Sequence, residues 1–212
     1  MIELRRRVMV QEATGDTKYV DLGLPSGLLW AKGPICKDSQ GNYSIDESET
    51  GYGAYFSWAN IVGHREGEGY DFSQTTYNST PGYSQNTDIT YRDAQHNAPY
   101  ALFGSPWRLP SLDECRELCE NTTCSFAYKG STKFGIKFTS KTDASKYIII
   151  PLAGRYSGTS QGGKGKYFRI WCSTRASSGN GQSLQMENLG SPNYTNYSPY
   201  LGNTIIPVRS AT

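Results

Sequence analysis

The segment from residue 154 to residue 212 constrains the fold of this chain more than any other feature, because Ser, Asn, Gly, Thr and Tyr make up more than half of it. These residue types are typical of adaptable binding loops, which make wide polar contacts with few rotatable bonds. They bury too little apolar surface to pack a core by themselves. We therefore expect a rigid scaffold in the first two-thirds of the chain and a recognition surface in the last third.

The length and the charge of the chain narrow the possible classes of protein. Its 212 residues suffice for one well-buried domain and are short for two. The net charge is +2, but residues 154–212 contain six Lys or Arg and one Glu, a net of +5, which leaves −3 for residues 1–153. The basic residues of the last third are scattered among Gly and Ser instead of forming a stripe, so we expect no nucleic-acid partner.

The start of the chain carries no recognisable export signal. Residues 1–18 contain three arginines, and no apolar stretch of a secretory signal peptide follows them. No apolar run reaches the 18 residues of a membrane-spanning helix. We interpret residues 1–18 as a polar leader or attachment arm, and we expect a protein that is made in a cytoplasm and does not insert into a membrane.

The five cysteines do not form a pattern of metal ligands or of a disulfide framework. Their number is odd, and the chain is too long to need disulfides for stability. Cys115, Cys119 and Cys124 lie close in sequence but lack the C-x-x-C spacing and a neighbouring His. We therefore expect these thiols to act as small buried hydrophobes, with no metal and no cofactor.

The clearest secondary-structure signal is a helix over residues 110–119. Ser111 and Glu114 have the spacing of a capping box, and two acidic residues lie in the first turn. One face of this helix is apolar and contains Leu112, Cys115, Leu118 and Cys119. A second, weaker helix is expected to begin near Thr90 and to end before Pro99.

Short runs of β-forming residues predict a mostly antiparallel sheet beside the two helices. The expected strands are 19–22, 28–32, 53–60, 125–128, 135–140, 147–152, 166–174, 183–189 and 204–209. Residues 61–90 have no period and are expected to form a surface insertion and a candidate contact loop. These elements predict an α+β domain. The expected core includes Trp30, Phe56, Trp58 and Trp107, and we expect Trp171 to point inward while Arg169 and Cys172 point outward.

Several blocks of sequence follow one another in an order that resembles a known family. They are VDLGLPSGLLWAK (20–32), YGAYFSWAN (52–60), Asp93-Ala94, GSPWRLPSLDECREL (104–118), YIIIPLAGRYSG (147–158), IWCST (170–174) and IIPVR (205–209). The family is the Fibrobacter succinogenes major paralogous domain of Bacteroidetes, which includes variable proteins of diversity-generating retroelements. The resemblance spans residues 19–209. It implies a C-type-lectin fold for residues 19–212, with a variable ligand-binding region at about 155–205.

The resemblance also implies an origin for the composition of the last third. In such systems an error-prone reverse transcriptase rewrites adenines of a template, so Asn codons change to codons for Tyr, Ser, Thr, Asp, Ile, Cys, Gly or Arg. Because such changes cannot produce Trp, Gln, Met or Glu, the implied scaffold residues are Trp171, Gln182, Gln185, Met186 and Glu187. The implied ligand-binding residues, expected to be exposed together with Ile170, are Arg169, Cys172, Arg175, Ser177, Ser178, Asn180, Asn188, Ser191, Asn193, Tyr194, Asn196, Tyr197 and Tyr200.

Three other functions, two of them known for the same fold, would need residues that this chain does not show in the required pattern. A formylglycine-generating enzyme uses paired cysteines, and Cys172 has no second thiol near it in sequence. A calcium-dependent lectin would carry Glu-Pro-Asn or Gln-Pro-Asp ligand triplets, which the chain lacks. A Ser-His-Asp hydrolase would depend on His64 or His96, and lone histidines are more often structural or solvated. We therefore predict no catalytic residues and no enzyme.

The resulting hypothesis is a receptor-binding protein of a phage tail tip. The start ELRRRV is similar to the starts of phage structural proteins, and a virion protein needs no export signal. The expected partners are a protein or glycan receptor on a bacterial host, other phage tail proteins, and further copies of the chain in a homotrimer. The alternative is a non-diversified structural or cell-surface adhesive module. A reverse transcriptase and a near-identical repeat beside the gene would favour the first hypothesis.

Overall fold

The computed structural model describes residues 18–79, 87–176 and 179–210. Within these ranges three short helices and thirteen strands form an α+β architecture in which the sheets are small and antiparallel. No helix in them is long and apolar enough to cross a membrane. The leader expected at residues 1–18 lies, apart from Lys18, outside the described residues.

The helices are α1 (Gln74–Ser79), α2 (Ala98–Phe103) and α3 (Leu112–Asn121). The strands are β1 (Tyr19–Asp21), β2 (Leu29–Ala31), β3 (Ile35–Lys37), β4 (Tyr43–Ile45), β5 (Thr122–Lys129), β6 (Thr132–Ser140), β7 (Tyr147–Pro151), β8 (Arg155–Ser157), β9 (Ser160–Gly162), β10 (Phe168–Arg175), β11 (Gly181–Met186), β12 (Asn193–Tyr197) and β13 (Val208–Arg209).

Both ends of the described chain meet in one sheet, whose strand order is β1-β2-β13. The predicted pairing of the first two strands is confirmed, with Val20 opposite Trp30. The turn between them closes with a hydrogen bond from Gly27 N to Leu24 O, and Gly27 has a positive φ that glycine adopts easily. Val208 pairs with Trp30 from the other side. The predicted last strand is shorter than expected, since residues 205–207 are buried without strand structure.

Helix α3 begins as its sequence predicts. Ser111 Oγ accepts a hydrogen bond from Glu114 N at 3.2 Å, and the Glu114 carboxylate accepts one from Ser111 N at 2.7 Å. Arg108 also donates to both carboxylate oxygens of Glu114. Burial is the largest single influence on the pKa of Glu114, and it raises this pKa. The hydrogen bonds from Arg108 and Ser111, together with the charge of Arg108, outweigh burial, so the pKa of Glu114 is lowered. The helix buries Leu112, Cys115 and Leu118.

The second predicted helix lies elsewhere. Residues 90–97 form turns, and α2 begins at Ala98, with a proline in its first turn. Proline lacks the N–H that the interior of a helix needs, but the first turn leaves its N–H groups unbonded anyway. Pro99 therefore starts this helix instead of ending one. The described ranges contain three helices where two were expected, since α1 lies in the segment predicted as a surface insertion.

Three packed clusters of buried side chains lie in the described residues, and the smallest of them contains Tyr55, Phe72 and Ala153. The large core joins α3 to the hairpin β6–β7 and to β2, β10 and β11; it includes Trp30, Trp107, Leu118, Phe138, Ile150 and Phe168. The predicted hairpin is confirmed, with Ile136 opposite Ile150. The second core includes Ile35, Phe56, Trp58, Trp171 and Ile205. The expected burial of the tryptophans is confirmed.

The segment at residues 53–60 is buried, but it is not the strand that its aromatic residues predicted. Tyr55 and Phe56 form isolated bridges with His64 and Asn203. Trp58 Nε1 donates to Cys172 O at 2.8 Å, which attaches this segment to β10. The backbone therefore meets its hydrogen-bonding needs through single contacts with several neighbours, a pattern that strand periodicity does not reveal.

Candidate recognition surface

Strands β10, β11 and β12 form one antiparallel sheet that carries much of the predicted ligand-binding set. β10 lies inside the domain, and β12 is the outer strand, with β11 as its one neighbour in the described sheets. Polar side chains suit such an edge, because long apolar edges promote unwanted strand pairing. The sheet thus connects a buried anchor to a polar outer strand.

The predicted ligand-binding residues fall into four groups by exposure. The exposed ones are Asn188, Ser191, Asn193 and Asn196, and the half-buried ones are Arg175, Asn180, Tyr194, Tyr197 and Tyr200. Arg169, Ile170 and Cys172 are buried. The side chains of Ser177 and Ser178 lie outside the described residues. Nine predicted residues therefore reach the surface at least in part.

The expected exposure of Arg169, Ile170 and Cys172 is wrong, because β10 is covered on both faces. Ile170 and Cys172 belong to the large core, and Trp171 points into the second core. The alternation of side chains along a strand places Ile170 and Cys172 on the face of β10 opposite Trp171, whereas Arg169, two residues away, lies on the same face as Trp171, contrary to the expectation. This alternation does not expose Ile170 or Cys172, because they pack into the large core while Trp171 packs into the second.

The outer strand β12 contains both half-buried and exposed residues. Tyr194 packs against the large core, and its ring lies 5.3 Å from the guanidinium carbon of Arg116. Burial raises the pKa of the Tyr194 hydroxyl, as do its contacts with Cys119. Asn193 and Asn196 are exposed. Strand β12 is thus held by its tyrosines and offers its asparagines to solvent.

A polar cluster connects buried Arg169 to half-buried Tyr197. Nε and Nη2 of Arg169 donate to Gln185 Oε1 at 2.9 and 2.5 Å, and the Tyr197 hydroxyl donates to the same oxygen at 2.9 Å. The Tyr197 ring lies face-on, with its centroid 3.4 Å from the guanidinium carbon. Burial lowers the pKa of Arg169. Arg169 therefore contributes to this surface from beneath it.

Arg175, at the end of β10, links the sheet to two other segments. Its backbone N donates to Asp88 Oδ1 at 2.8 Å. Its guanidinium carbon lies 5.6 Å from the Trp58 ring, within the distance of a cation–π contact. Opposite Arg175, Gly181 lies so close to Trp58 that an added Cβ would be 2.4 Å from the indole. The glycine therefore permits the close approach of β11 to Trp58.

Cys172 has a second thiol beside it, contrary to the expectation from sequence. Its Sγ lies 3.4 Å from the Sγ of Cys115, and both residues are fully buried. Burial is the main reason that the pKa of Cys115 is raised, and the hydrogen bond and charge of Cys172 raise it further. Burial also raises the pKa of Cys119 to about 12. Because their pKa values are raised, Cys115 and Cys119 are poor nucleophiles.

Each histidine contacts a side chain a few residues away in sequence. The His64 ring stacks on Tyr70 with 3.5 Å between centroids, and burial lowers its pKa to about 4. Nδ1 of His96 lies 2.8 Å from a carboxylate oxygen of Asp93. The string GTSQG at 158–162 has the G-x-S-x-G spacing of a hydrolase, but Ser160 starts β9 of a hairpin. A nucleophile elbow needs a strand-to-helix turn.

Two further observations bear on binding. The residues that the structure describes contain no group of three or more His, Cys, Asp or Glu that could hold a metal ion. A small cleft of about 130 Å³ lies where the predicted contact loop meets β8, and its lining includes Arg65, Tyr70, Phe72 and Tyr156. Part of that loop, residues 80–86, lies outside the described residues.

Comparisons with protein-family models, with curated proteins and with solved structures gave no match to this chain.

Proposed function

We propose that this chain is a receptor-binding protein with a C-type-lectin fold, located at the tail tip of a phage of Bacteroidetes and diversified in its C-terminal region by a retroelement. The fold, the phage setting and the retroelement come from the sequence resemblance. The α+β architecture is compatible with them. The proposed partners are a receptor on a bacterial host, the other tail proteins, and two further copies of the chain in a homotrimer. Light scattering on the chain assembled with its tail partners measures its oligomeric state, and a monomer would contradict the trimer.

The observation that supports the binding function is the difference in burial across the sheet β10–β11–β12. Trp171 anchors β10 in the second core, while Asn193 and Asn196 on the outer strand are exposed. Substitution of exposed residues costs little stability. A sheet built in this way tolerates changes on its outer strand while its inner strand keeps the fold, which is what a diversified surface requires.

The test compares cell binding with stability. The double substitution Asn193→Ala/Asn196→Ala is made in the full chain, and binding of the labelled protein is measured over a panel of bacterial strains. We expect the bound strains to change, with unfolding free energy altered by no more than about 0.5 kcal/mol per residue. The matched control is Ser125→Ala, an exposed polar residue on β5, the edge strand of another sheet.

Two results would contradict the proposal. If the double variant unfolds, the asparagines belong to the scaffold. If it binds the same strains with the same affinity as the wild type, the non-diversified adhesive or structural module becomes the better account.

The proposal also states that the protein binds without catalysing a reaction. The test is a screen against ester, glycoside and thiol substrates. Turnover that is lost in His64→Ala or Cys172→Ala would contradict it.

A further inference from the structure

Arg169 carries a buried positive charge that no carboxylate neutralises in the described part of the chain. The residue is 4% exposed. It takes part in none of the ion pairs that the described residues form. Its Nη1 atom is buried without a hydrogen-bond partner. Buried charges are normally paired because their desolvation is costly. In place of a carboxylate, this guanidinium contacts the Gln185 amide oxygen and the Tyr197 ring.

A second arginine reinforces the positive charge at the same place. A hydrogen bond from Gly154 N to Tyr167 O sets the start of β8 beside the approach to β10. Burial lowers the pKa of Arg169, and the charge of Arg155, which follows Gly154 and begins β8, lowers it further. Arg155 is half-buried and, among the described residues, has no ion-pair partner either.

The groups around Arg169 suit a sugar as well as an anion. Gln185 Oε1 accepts three hydrogen bonds, from Arg169 and Tyr197, and its Nε2 has no partner among the described residues. The Tyr167 ring lies 5.3 Å from the guanidinium carbon and is half-buried. The pairing of the strands places Asn193 directly opposite Gln185, so Arg169, Gln185 and Asn193 form one row across the sheet.

We propose that Arg155 and Arg169 bind the carboxylate of an acidic sugar. A guanidinium donates two parallel hydrogen bonds to a carboxylate. The Gln185 amide donates to a sugar hydroxyl, and the Tyr167 ring packs against the apolar face of the sugar ring. Arg155, Tyr167 and Gln185 are half-buried and reach the surface in part, whereas Arg169 is buried. The assignment names the ligand class of the recognition surface and rests on the proposed binding function.

A titration of the full chain with three small probes tests the assignment. The probes are glucuronate, glucose as its uncharged counterpart, and N-acetylglutamate as a carboxylate without a sugar ring. We expect saturable binding of glucuronate by calorimetry, with glucose and N-acetylglutamate each weaker by about tenfold or more, the effect of losing a charged hydrogen bond or a stacked ring. The Arg155→Gln variant removes one charge from a half-buried position and should weaken glucuronate binding by about tenfold. The matched control Arg92→Gln makes the same change at an exposed arginine and should bind as the wild type does.

Three outcomes would overturn the assignment. They are no saturable glucuronate binding at tens of millimolar, equal binding of glucose and glucuronate, and tighter binding of N-acetylglutamate, which would indicate an acidic peptide instead. The result is separable from the proposed function. Glucuronate binding without any host-cell binding would remove the receptor function and keep the sugar site. If the chain does not bind glucuronate, and Arg155→Gln leaves its binding to host cells unchanged, the sugar site is wrong and the receptor function is kept.

Discussion

Trp171→Ala is the perturbation that most severely tests the assignment of β10 as the buried anchor of the proposed recognition surface. The side chain is 1% exposed and packs in the second core. A buried tryptophan removes roughly 200 Å² from water, which at about 25 cal/mol per Å² corresponds to about 5 kcal/mol. Measured large-to-small substitutions of buried aromatic residues cost about 3–5 kcal/mol. We expect a loss of about 4 kcal/mol.

The indole hydrogen bond adds little to this loss. Trp171 Nε1 donates to Phe56 O at 2.7 Å, but the same oxygen also accepts a hydrogen bond from Asn203 N at 3.1 Å. Removing the indole therefore leaves the carbonyl with one partner, and the penalty for an unsatisfied buried acceptor does not arise. Loss of packing accounts for the predicted change almost entirely.

The assay is equilibrium urea unfolding followed by far-UV circular dichroism, with Asn196→Ala as the exposed control in the same sheet. Asn196→Ala should stay within about 0.5 kcal/mol of the wild type. If Trp171→Ala costs less than about 1 kcal/mol, or if both variants lose the same stability, the distinction between anchor and surface is wrong.

Three further outcomes follow from the described contacts. Ser111→Ala removes one half of the capping box of α3 and should lower the unfolding free energy by about 1 kcal/mol in the same assay; an unchanged value would contradict the role of the cap. Burial lowers the pKa of His64 to about 4, so the stability from its neutral ring is complete above the unfolded pKa of about 6.5 and is lost as pH falls towards 4. The unfolding free energy of the wild type relative to His64→Gln should therefore decline over that interval, and a constant difference would show that the ring is not buried. In native protein at pH 8, a thiol reagent followed by mass spectrometry should label half-buried Cys124 before Cys115 and Cys172, because the last two are enclosed; simultaneous labelling would contradict their burial.

Local signals in the sequence identified the elements whose formation depends on neighbours along the chain. The capping box of Ser111 and Glu114 located α3, and the apolar alternation around residues 135–152 located the β6–β7 hairpin. Strand β12 was missed, because Asn193–Tyr197 contains no apolar alternation and forms a strand through its pairing with β11. Its structure is determined by a neighbour and not by its own composition.

The sequence was least informative about the composition of the site. Cys115 and Cys172 are 57 positions apart, and their contact arises from the packing of α3 against β10. Arg169 and Cys172 were selected because adenine substitutions in an Asn codon can produce their codons, and this criterion carries no information on burial. The sequence did not single out Arg155, which belongs to the proposed sugar site, and the concentration of positive charge in the last third was the signal that could have drawn attention to it.

The most direct test of the central claim is sequencing of this gene and its neighbourhood across many isolates of the population that carries it. The account predicts a neighbouring reverse transcriptase and a near-identical repeat, with adenine-specific changes at the codons of exposed residues such as Asn188, Ser191, Asn193 and Asn196. The codons of Trp171 and of buried Cys172 should stay constant. Absence of the repeat, or variation spread evenly over buried and exposed codons, would contradict the claim that this surface is diversified.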